Sequence, residues 1–176
     1  MIQSFHHVYV FGAGALGSWM GARLSVPTTL IARGKHAEAM RNNGLLIQGR
    51  ENDTVAVTVA DTLPEFKGQD LVLVTVKINA LDDVISALKP RLCPDTVVAI
   101  VTNGLSPDRY LAAGLDHQVV RVIAGFGVTL DAPGVVSAWG GKAQLGLGVD
   151  EDRVAALLLD TGLTIDRVDD LNAVSW

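Results

Sequence analysis

Three glycines near the start of the chain have the spacing of a phosphate-binding turn. Gly12, Gly14 and Gly17 form the pattern G-x-G-x-x-G between the apolar run HVYVF and the helix-like run ALGSWMGARL. In such a turn the first glycine closes the strand, the second lets backbone approach a pyrophosphate, and the third lets helix and strand pack closely. The helix N-terminus then binds the phosphates through its N–H groups and its dipole. The candidate cofactor-binding residues are therefore Gly12, Ala13, Gly14, Ala15, Leu16 and Gly17, and a glycine-rich turn that binds nothing is the alternative.

A further candidate, Arg33, ends the next apolar run, TTLIAR, at the position where NAD-binding domains carry Asp or Glu. An acidic residue there accepts hydrogen bonds from the ribose hydroxyls, whereas arginine offers a forked, charged donor to a 2′-phosphate. A charge-assisted contact of about 1.5–3 kcal/mol gives roughly a ten- to hundredfold preference. We therefore expect NADP as the cofactor, with Lys35 and His36 adding to the same patch. An exposed arginine that begins a loop is the alternative.

Two polar side chains follow apolar runs further along the chain. Lys77 ends VLVTVK, and Asn103 lies at the end of VAIVTNG. Open α/β sheets bind ligands at the carboxyl ends of their strands, so both residues are candidate catalytic and cofactor-binding residues. Lys77 could hold the nicotinamide carboxamide or a substrate oxyanion, and Asn103 could bond the ribose and a substrate hydroxyl. A solvated lysine and a common Asn-Gly turn are the alternatives.

The elements that must position these residues alternate between strand and helix. Apolar runs of strand length include HVYVFG, TTLIAR, DLVLVTV, TVVAIVTNG and HQVVRVIAGFG, and runs with helical spacing include KHAEAMRNNG and LDDVISALKPRL. This alternation predicts a Rossmann-like, doubly wound α/β fold with a mainly parallel sheet covered on both faces. The run LLIQGRENDTVAVTV predicts two short strands around a polar turn. Near the C-terminus, GVVSAWGGKAQLGLG predicts an antiparallel hairpin that turns at Gly140 and Gly141, followed by a helix, EDRVAALLLDTG, and a strand, TIDRV.

The composition of the 176 residues fits one globular domain. Hydrophobic residues make up 49% and charged residues 19%, which argues against disorder. A net charge of −5 without a basic run argues against nucleic acid and anionic membranes as partners. The apolar runs are shorter than a membrane span, and no signal peptide precedes them. The lone cysteine, Cys93, fits a cytoplasmic protein, and the four histidines have no ligand spacing with it, so no metal site is expected.

Four segments, taken in order, resemble a known family. VFGAGALGSWMGARL, LIARGKH, LVLVTVK and TNG are similar to the N-terminal domain of ketopantoate reductase (2-dehydropantoate 2-reductase). The resemblance extends over essentially the whole chain and includes APG and the glycine-rich segment after it. It implies NADPH-dependent reduction of ketopantoate to pantoate in pantothenate and coenzyme A biosynthesis. It also implies that the glycine turn and Arg33 bind NADP, and that Lys77 and Asn103 lie at the nicotinamide and the substrate.

The family has a helical C-terminal domain that carries a general-acid lysine, and the beginning of that domain resembles NAVSW. We therefore expect residues 1–170 to form an NADP-binding domain and residues 171–176 to begin a helical domain that this chain lacks. The chain alone is then expected to be inactive. A reductase of another 2-oxo acid and a non-catalytic NADP-binding module sensed by a partner are the open alternatives. The expected partner is a small 2-oxo acid, with no nucleic acid and no membrane, and a homodimer remains open.

Overall fold

The computed structural model describes residues 4–50, 52–104 and 106–173. These residues form ten strands and five α-helices, with short 3-10 turns at Ile78–Ala80 and Leu159–Thr161. The strands are β1 (His7–Phe11), β2 (Thr28–Ile31), β3 (Leu45–Gly49), β4 (Asp53–Val55), β5 (Thr58–Ala60), β6 (Asp70–Val74), β7 (Val97–Val101), β8 (Val119–Ala132), β9 (Val135–Leu145) and β10 (Thr164–Arg167). The helices are α1 (Ala15–Gly21), α2 (Gly34–Asn43), α3 (Leu81–Leu88), α4 (Pro107–Leu115) and α5 (Val149–Leu158).

All these strands belong to one sheet, in the order β4-β3-β9-β8-β7-β6-β1-β2-β5, with β10 beside β9. The run from β8 through β7, β6, β1 and β2 to β5 is parallel, and helices α1, α3 and α4 connect β1 to β2, β6 to β7 and β7 to β8. β8 and β9 form a long antiparallel hairpin. The predicted α/β fold with a mainly parallel sheet and an antiparallel hairpin is therefore confirmed. In the described part of the chain, no helix is both long enough and apolar enough to cross a membrane.

Helices cover both faces of the sheet, as the continuously apolar strands predict. In β6, Leu71 and Leu73 pack in one apolar cluster with α1 and α5, whereas Val72 and Val74 pack in another with α3 and α4. Every residue of β6 and of β7 is buried. Strands that are covered on both faces are apolar at nearly every position, with Asp70 at the start of β6 as an exception, which is why these runs lack the polar alternation of a half-exposed strand.

The sheet curls back on itself. β4 lies at one end of the strand order and β5 at the other, yet only Ala56 and Val57 separate the two strands in the chain. A linker of this length reaches about 10 Å at most, so the two edges of the sheet must lie close together. Helix α1 contacts β1, β2, β8 and β9, which places it inside the curl.

Two local predictions need correction, and one helix was not predicted. The hairpin turns at Pro133 and Gly134, so the predicted turn at Gly140 and Gly141 is wrong, and both residues lie within β9. Glycine at residue 141 serves a close contact between the two strands instead of a turn. A Cβ on Gly141 would lie 2.5 Å from the Cβ of Phe126 in β8. The second strand predicted in LLIQGRENDTVAVTV is divided into β4 and β5, and α4 is a crossover helix that the alternation of runs did not predict. Residues 171–173, expected to begin a further domain, form a turn, and residues 174–176 lie outside the described residues.

Close packing of α1 against the sheet predicts that Gly17→Ala lowers the free energy of unfolding. A Cβ at Gly17 would lie 2.3 Å from the Oγ1 of Thr75 and 2.9 Å from the carbonyl oxygen of Gly12. We expect a loss of about 1–3 kcal/mol in urea unfolding, although alanine is the better helix former. Gly127→Ala is the control, because a Cβ there meets no heavy atom within 4 Å. Equal stabilities of the two variants would contradict the packing.

Candidate active site

The carboxyl ends of the parallel strands open onto a cleft of about 1280 Å³. The structure brings most of the sequence-predicted site residues to this cleft, and only Gly17 lies beneath it, buried against the sheet. Those that line the cleft are Gly12, Ala13, Gly14, Ala15, Leu16, Arg33, Lys77 and Asn103. A smaller cavity of about 830 Å³ lies at the amino-terminal edge of the sheet and contains none of these residues. The cleft is therefore the candidate site.

The glycine turn presents main-chain amides to the cleft. Gly12 has φ +94°, and the Gly14 N–H donates to its carbonyl oxygen at 2.7 Å. The N–H of Ser18 donates to the carbonyl of Gly14, so the amides of Ala15 and Leu16 precede the first hydrogen bond of α1. A Cβ on Gly14 would have its nearest neighbour 4.0 Å away, which shows that the space in front of Gly14 is open.

Two hydroxyl groups hold the carbonyls of this turn away from the cleft. The Oγ1 of Thr75 donates to the carbonyl oxygen of Gly12 at 2.9 Å, and the buried Oγ of Ser18 donates to that of Ala13 at 2.9 Å. Sequence reasoning missed both residues, although Thr75 is a polar residue inside the apolar run VLVTV. With these carbonyls engaged, the polar groups that the turn offers to a ligand are N–H donors, and the turn suits an anion.

His36 contacts the turn from the start of α2. Its Nε2 lies 2.9 Å from the Oγ of Ser18, and its Nδ1 accepts a hydrogen bond of 2.9 Å from the N–H of Gly134 in the hairpin turn. Burial lowers the pKa of the His36 imidazole below its ordinary value of 6.5, which favours the neutral ring. The expectation that His36 joins a phosphate-binding patch with Arg33 therefore needs correction, because both ring nitrogens are engaged within the protein.

Arg33 lies at the rim of the cleft, immediately before α2. Its side chain is exposed, and its Nε donates to the carbonyl oxygen of Asp61 at 3.1 Å. The carboxylate of Asp61 forms an ion pair of 2.7 Å with Arg41. Arg33 thus contacts the main chain of Asp61, whereas the carboxylate of Asp61 is paired with Arg41.

Lys77 and Asn103 lie at the ends of the neighbouring strands β6 and β7. Both are exposed, and Lys77 precedes the 3-10 turn at Ile78–Ala80. The Oδ1 of Asn103 accepts a hydrogen bond of 3.2 Å from the N–H of Ala124 in β8. Because its oxygen is bound to the main chain, Asn103 has its NH₂ group left to offer to a ligand as a donor.

Arg121 supports the Asn103 loop from the interior, and sequence reasoning missed it. The side chain is 5% exposed, and its guanidinium donates to the carbonyl oxygen of Gly104 at 2.6 Å and to the Oδ1 of Asn172 at 3.2 Å. Asp108 at the start of α4 lies 3.5 Å from its Nε. The signal that could have found it is a single charge inside the apolar run VVRVIAGFG.

The charges of the cleft suit an anionic ligand. The cations Arg33, Lys77 and Arg91 and the anions Asp61 and Asp83 contribute to its lining. Among the described residues, no group of three or more His, Cys, Asp or Glu side chains is placed to hold a metal ion. The site can therefore hold an extended anion on amides and cations, with a lysine and an amide donor near its far end.

Comparison with known proteins agrees with this geometry. The family model for ketopantoate reductase PanE/ApbA matches residues 8–151. The 2-dehydropantoate 2-reductase of Pyrococcus horikoshii is 32% identical over 145 residues, which are 81% of this chain and 47% of that protein. The crystal structure of a PanE/ApbA family ketopantoate reductase from Ralstonia eutropha JMP134 has a TM-score of 0.85 at 25% identity, over 97% of this chain and 59% of that one.

A more distant structure shares the fold. The ternary structure of D-mandelate dehydrogenase with NADH and anilino(oxo)acetate has a TM-score of 0.82 at 19% identity, over 94% of this chain and 58% of that one. The chain spans about half the length of the curated relatives it matches. Because the family model extends from β1 into α5, this chain belongs to the ketopantoate reductase PanE/ApbA family of dinucleotide-binding oxidoreductases.

Proposed function

We propose that the chain binds NADP(H) in the cleft and forms the cofactor half of a cytoplasmic enzyme that reduces ketopantoate to pantoate in pantothenate biosynthesis. One observation carries the proposal. In a chain of this family, the cleft is lined by the glycine turn, by Arg33 at one rim, and by Lys77 and Asn103 at the strand ends. These groups match, in order, a pyrophosphate, a 2′-phosphate, and a nicotinamide with its substrate.

The residues present fit such a cofactor. The amides of Ala15 and Leu16 would hold the pyrophosphate, and the open space before Gly14 allows phosphate oxygens to approach the backbone. Arg33 would hold the 2′-phosphate, because its exposed guanidinium is anchored at the rim by Asp61. NADH in the related D-mandelate dehydrogenase structure supports a dinucleotide in this fold.

Lys77 and Asn103 would act at the reacting end. The cofactor, when bound as NADPH, would supply a hydride, and negative charge would develop on the ketone oxygen of the substrate. The Lys77 ammonium would stabilise this charge, and the NH₂ group of Asn103 would orient the ribose or the substrate hydroxyl. A module that only senses NADP needs no such groups at the strand ends, which favours an enzyme over the sensing alternative.

Reduction of another 2-oxo acid is the second candidate. The D-mandelate dehydrogenase with a similar fold is complexed with anilino(oxo)acetate, so this fold serves more than one oxo acid. We propose ketopantoate first because the family model and the Pyrococcus horikoshii relative both carry that activity in their names.

Arg33→Ala is expected to abolish the preference for NADPH over NADH. The variant loses a charged donor to the 2′-phosphate, so NADPH affinity should fall roughly ten- to a hundredfold while NADH affinity changes little. Calorimetric titration of both cofactors measures this. Arg109→Ala is the matched control, because Arg109 is exposed on α4 and does not line the cleft. Equal affinities for the two cofactors in the wild type would contradict the assignment.

Gly14→Val is expected to prevent dinucleotide binding while the protein still folds. A Cβ at residue 14 would have its nearest neighbour 4.0 Å away, yet a valine side chain would occupy the space through which a pyrophosphate reaches the amides of α1. Gly14→Ala should show a smaller loss, because it fills less of that space. Circular dichroism and urea unfolding check the fold, and fluorescence titration with NADPH checks binding. Undiminished binding by a folded Gly14→Val protein would refute this role.

The chain alone is expected to bind NADPH but to reduce ketopantoate at a negligible rate. It spans about half of its curated relatives, and a general acid supplied by the remainder would contribute about 10²–10⁴-fold. The decay of NADPH absorbance with ketopantoate, and with a second 2-oxo acid, measures the reaction. Robust turnover that disappears in Lys77→Ala would instead assign proton donation to Lys77. Faster turnover of the second acid would favour the other candidate.

A further inference from the structure

His36 joins three separate parts of the site. It lies in the first turn of α2, its ring contacts Ser18 of α1 and Gly134 of the β8–β9 hairpin, and it lines the cleft. We propose that neutral His36 is a positioning residue that fixes the glycine turn to the hairpin, and that its protonation weakens dinucleotide binding. The inference rests on the proposed function, because it concerns the same dinucleotide site.

The hydrogen bonds around His36 define a single direction of donation. The N–H of Gly134 can only donate, so the Nδ1 that receives it carries no proton. In a neutral ring the proton is then on Nε2, which donates to the Oγ of Ser18. The hydroxyl of Ser18 in turn donates to the carbonyl oxygen of Ala13. The network thus assigns the Nε2–H tautomer and leads from the hairpin to the glycine turn.

This network holds the peptide group between Ala13 and Gly14 at both of its ends. The carbonyl of Ala13 is bound to Ser18, which is fully buried, and the N–H of Gly14 is bound to the carbonyl of Gly12. The direction of this peptide group sets how the chain enters α1, and hence where the amides of Ala15 and Leu16 point. Loss of the bond from His36 would leave Ser18 free to rotate away from Ala13.

A second proton on the ring breaks the network. With Nδ1 protonated, two N–H donors would face each other at the 2.9 Å now joining His36 and Gly134. Burial lowers the pKa of His36, so the neutral ring is the form that the fold favours. The unfolded chain, with its ordinary pKa of 6.5, binds the proton more readily. The contribution of neutral His36 to the stability of the folded protein is therefore fully present above pH 6.5. It is lost as the pH falls through the lower pKa that His36 has in the folded protein.

Other charged groups lie on the elements around His36, and the experiment must separate their effects. Helix α1 carries no charged residue. The charged residues on α2, on the β8–β9 hairpin and in the contact of Arg33 with Asp61 are Arg33, Lys35, Glu38, Arg41, Asp61, Arg121, Asp131 and Lys142. The carboxylate of Asp61 is paired with Arg41, and that of Asp131 accepts hydrogen bonds from Thr129 and Ser137. All of these are arginine, lysine, aspartate or glutamate side chains, so His36 is the group in this region whose ordinary pKa lies near neutrality.

The test is the pH dependence of dinucleotide affinity between about pH 5.5 and 7.5, measured by calorimetry. NADP⁺ and NAD⁺ are used in parallel, because the 2′-phosphate of NADP⁺ itself titrates near pH 6. We expect the wild type to lose affinity for both dinucleotides at the acid end, by less than about tenfold because the pKa of His36 lies below 6.5. His36→Gln, which can still donate to Ser18, should bind NAD⁺ with little pH dependence, and His36→Ala should bind both dinucleotides weakly at every pH.

The matched control is His7→Gln. Burial also lowers the pKa of His7, but this residue begins β1 at the opposite edge of the sheet and bonds to Thr29. The dinucleotide affinity of His7→Gln should change with pH in the same way as that of the wild type. Nuclear magnetic resonance of the wild-type imidazole ring gives a second readout that needs no variant, with the Nε2–H tautomer expected near pH 7.5.

Each other outcome overturns the inference. A change with pH that affects NADP⁺ alone belongs to the 2′-phosphate, and one that persists for NAD⁺ in His36→Gln belongs to another group. An Nδ1–H tautomer contradicts the hydrogen-bond network directly. Wild-type protein that binds dinucleotides equally at both pH values overturns the role of His36 and leaves the proposed function standing. Wild-type protein that binds neither dinucleotide overturns both.

Discussion

The close approach of α1 to the inside of the curled sheet is the constraint on which the site depends. A Cβ at Gly17 would lie 2.3 Å from Thr75, and one at Gly21 would lie 2.4 Å from Leu30, so this face of the helix has no room for side chains. The approach brings the N-terminus of α1 to the carboxyl ends of β1 and β6. It also brings Thr75 within reach of the carbonyl of Gly12. The amides that face the cleft are thus placed by packing that lies behind them.

The curl of the sheet adds the hairpin to this arrangement. In a flat sheet with the same strand order, β2 and β9 would be far apart, and no side chain after β2 could reach the hairpin turn. Because the edges come together, His36 contacts Gly134 although 98 positions separate the two residues in the chain. The cleft is therefore bounded on one side by parallel strands and on the other by the antiparallel hairpin, with α1 between them.

The sequence was sufficient for features that depend on neighbouring residues. The glycine turn, the buried strands and the polar residues at their ends follow from local spacing, and the structure has the predicted strands and brings those residues to one cleft. The sequence was insufficient where a residue serves a distant partner. Gly141 resembles a turn residue, but its small size is needed against Phe126 in the neighbouring strand. Ser18 likewise has ordinary local surroundings, and the lone charge of Arg121 in an apolar run marks the residue but not its partners, which only the tertiary contacts reveal.

The buried guanidinium of Arg121 has a consequence for how this edge of the molecule opens. It binds the loop after β7 through Gly104, the start of α4 through Asp108, and the segment after β10 through Asn172. Release of any one of these partners would leave a desolvated charge with fewer contacts, at a cost of several kcal/mol. These three segments should therefore exchange their amide hydrogens as one cooperative unit rather than fray separately. The loop that carries Asn103 is then held in place by residues that are remote from it in the chain.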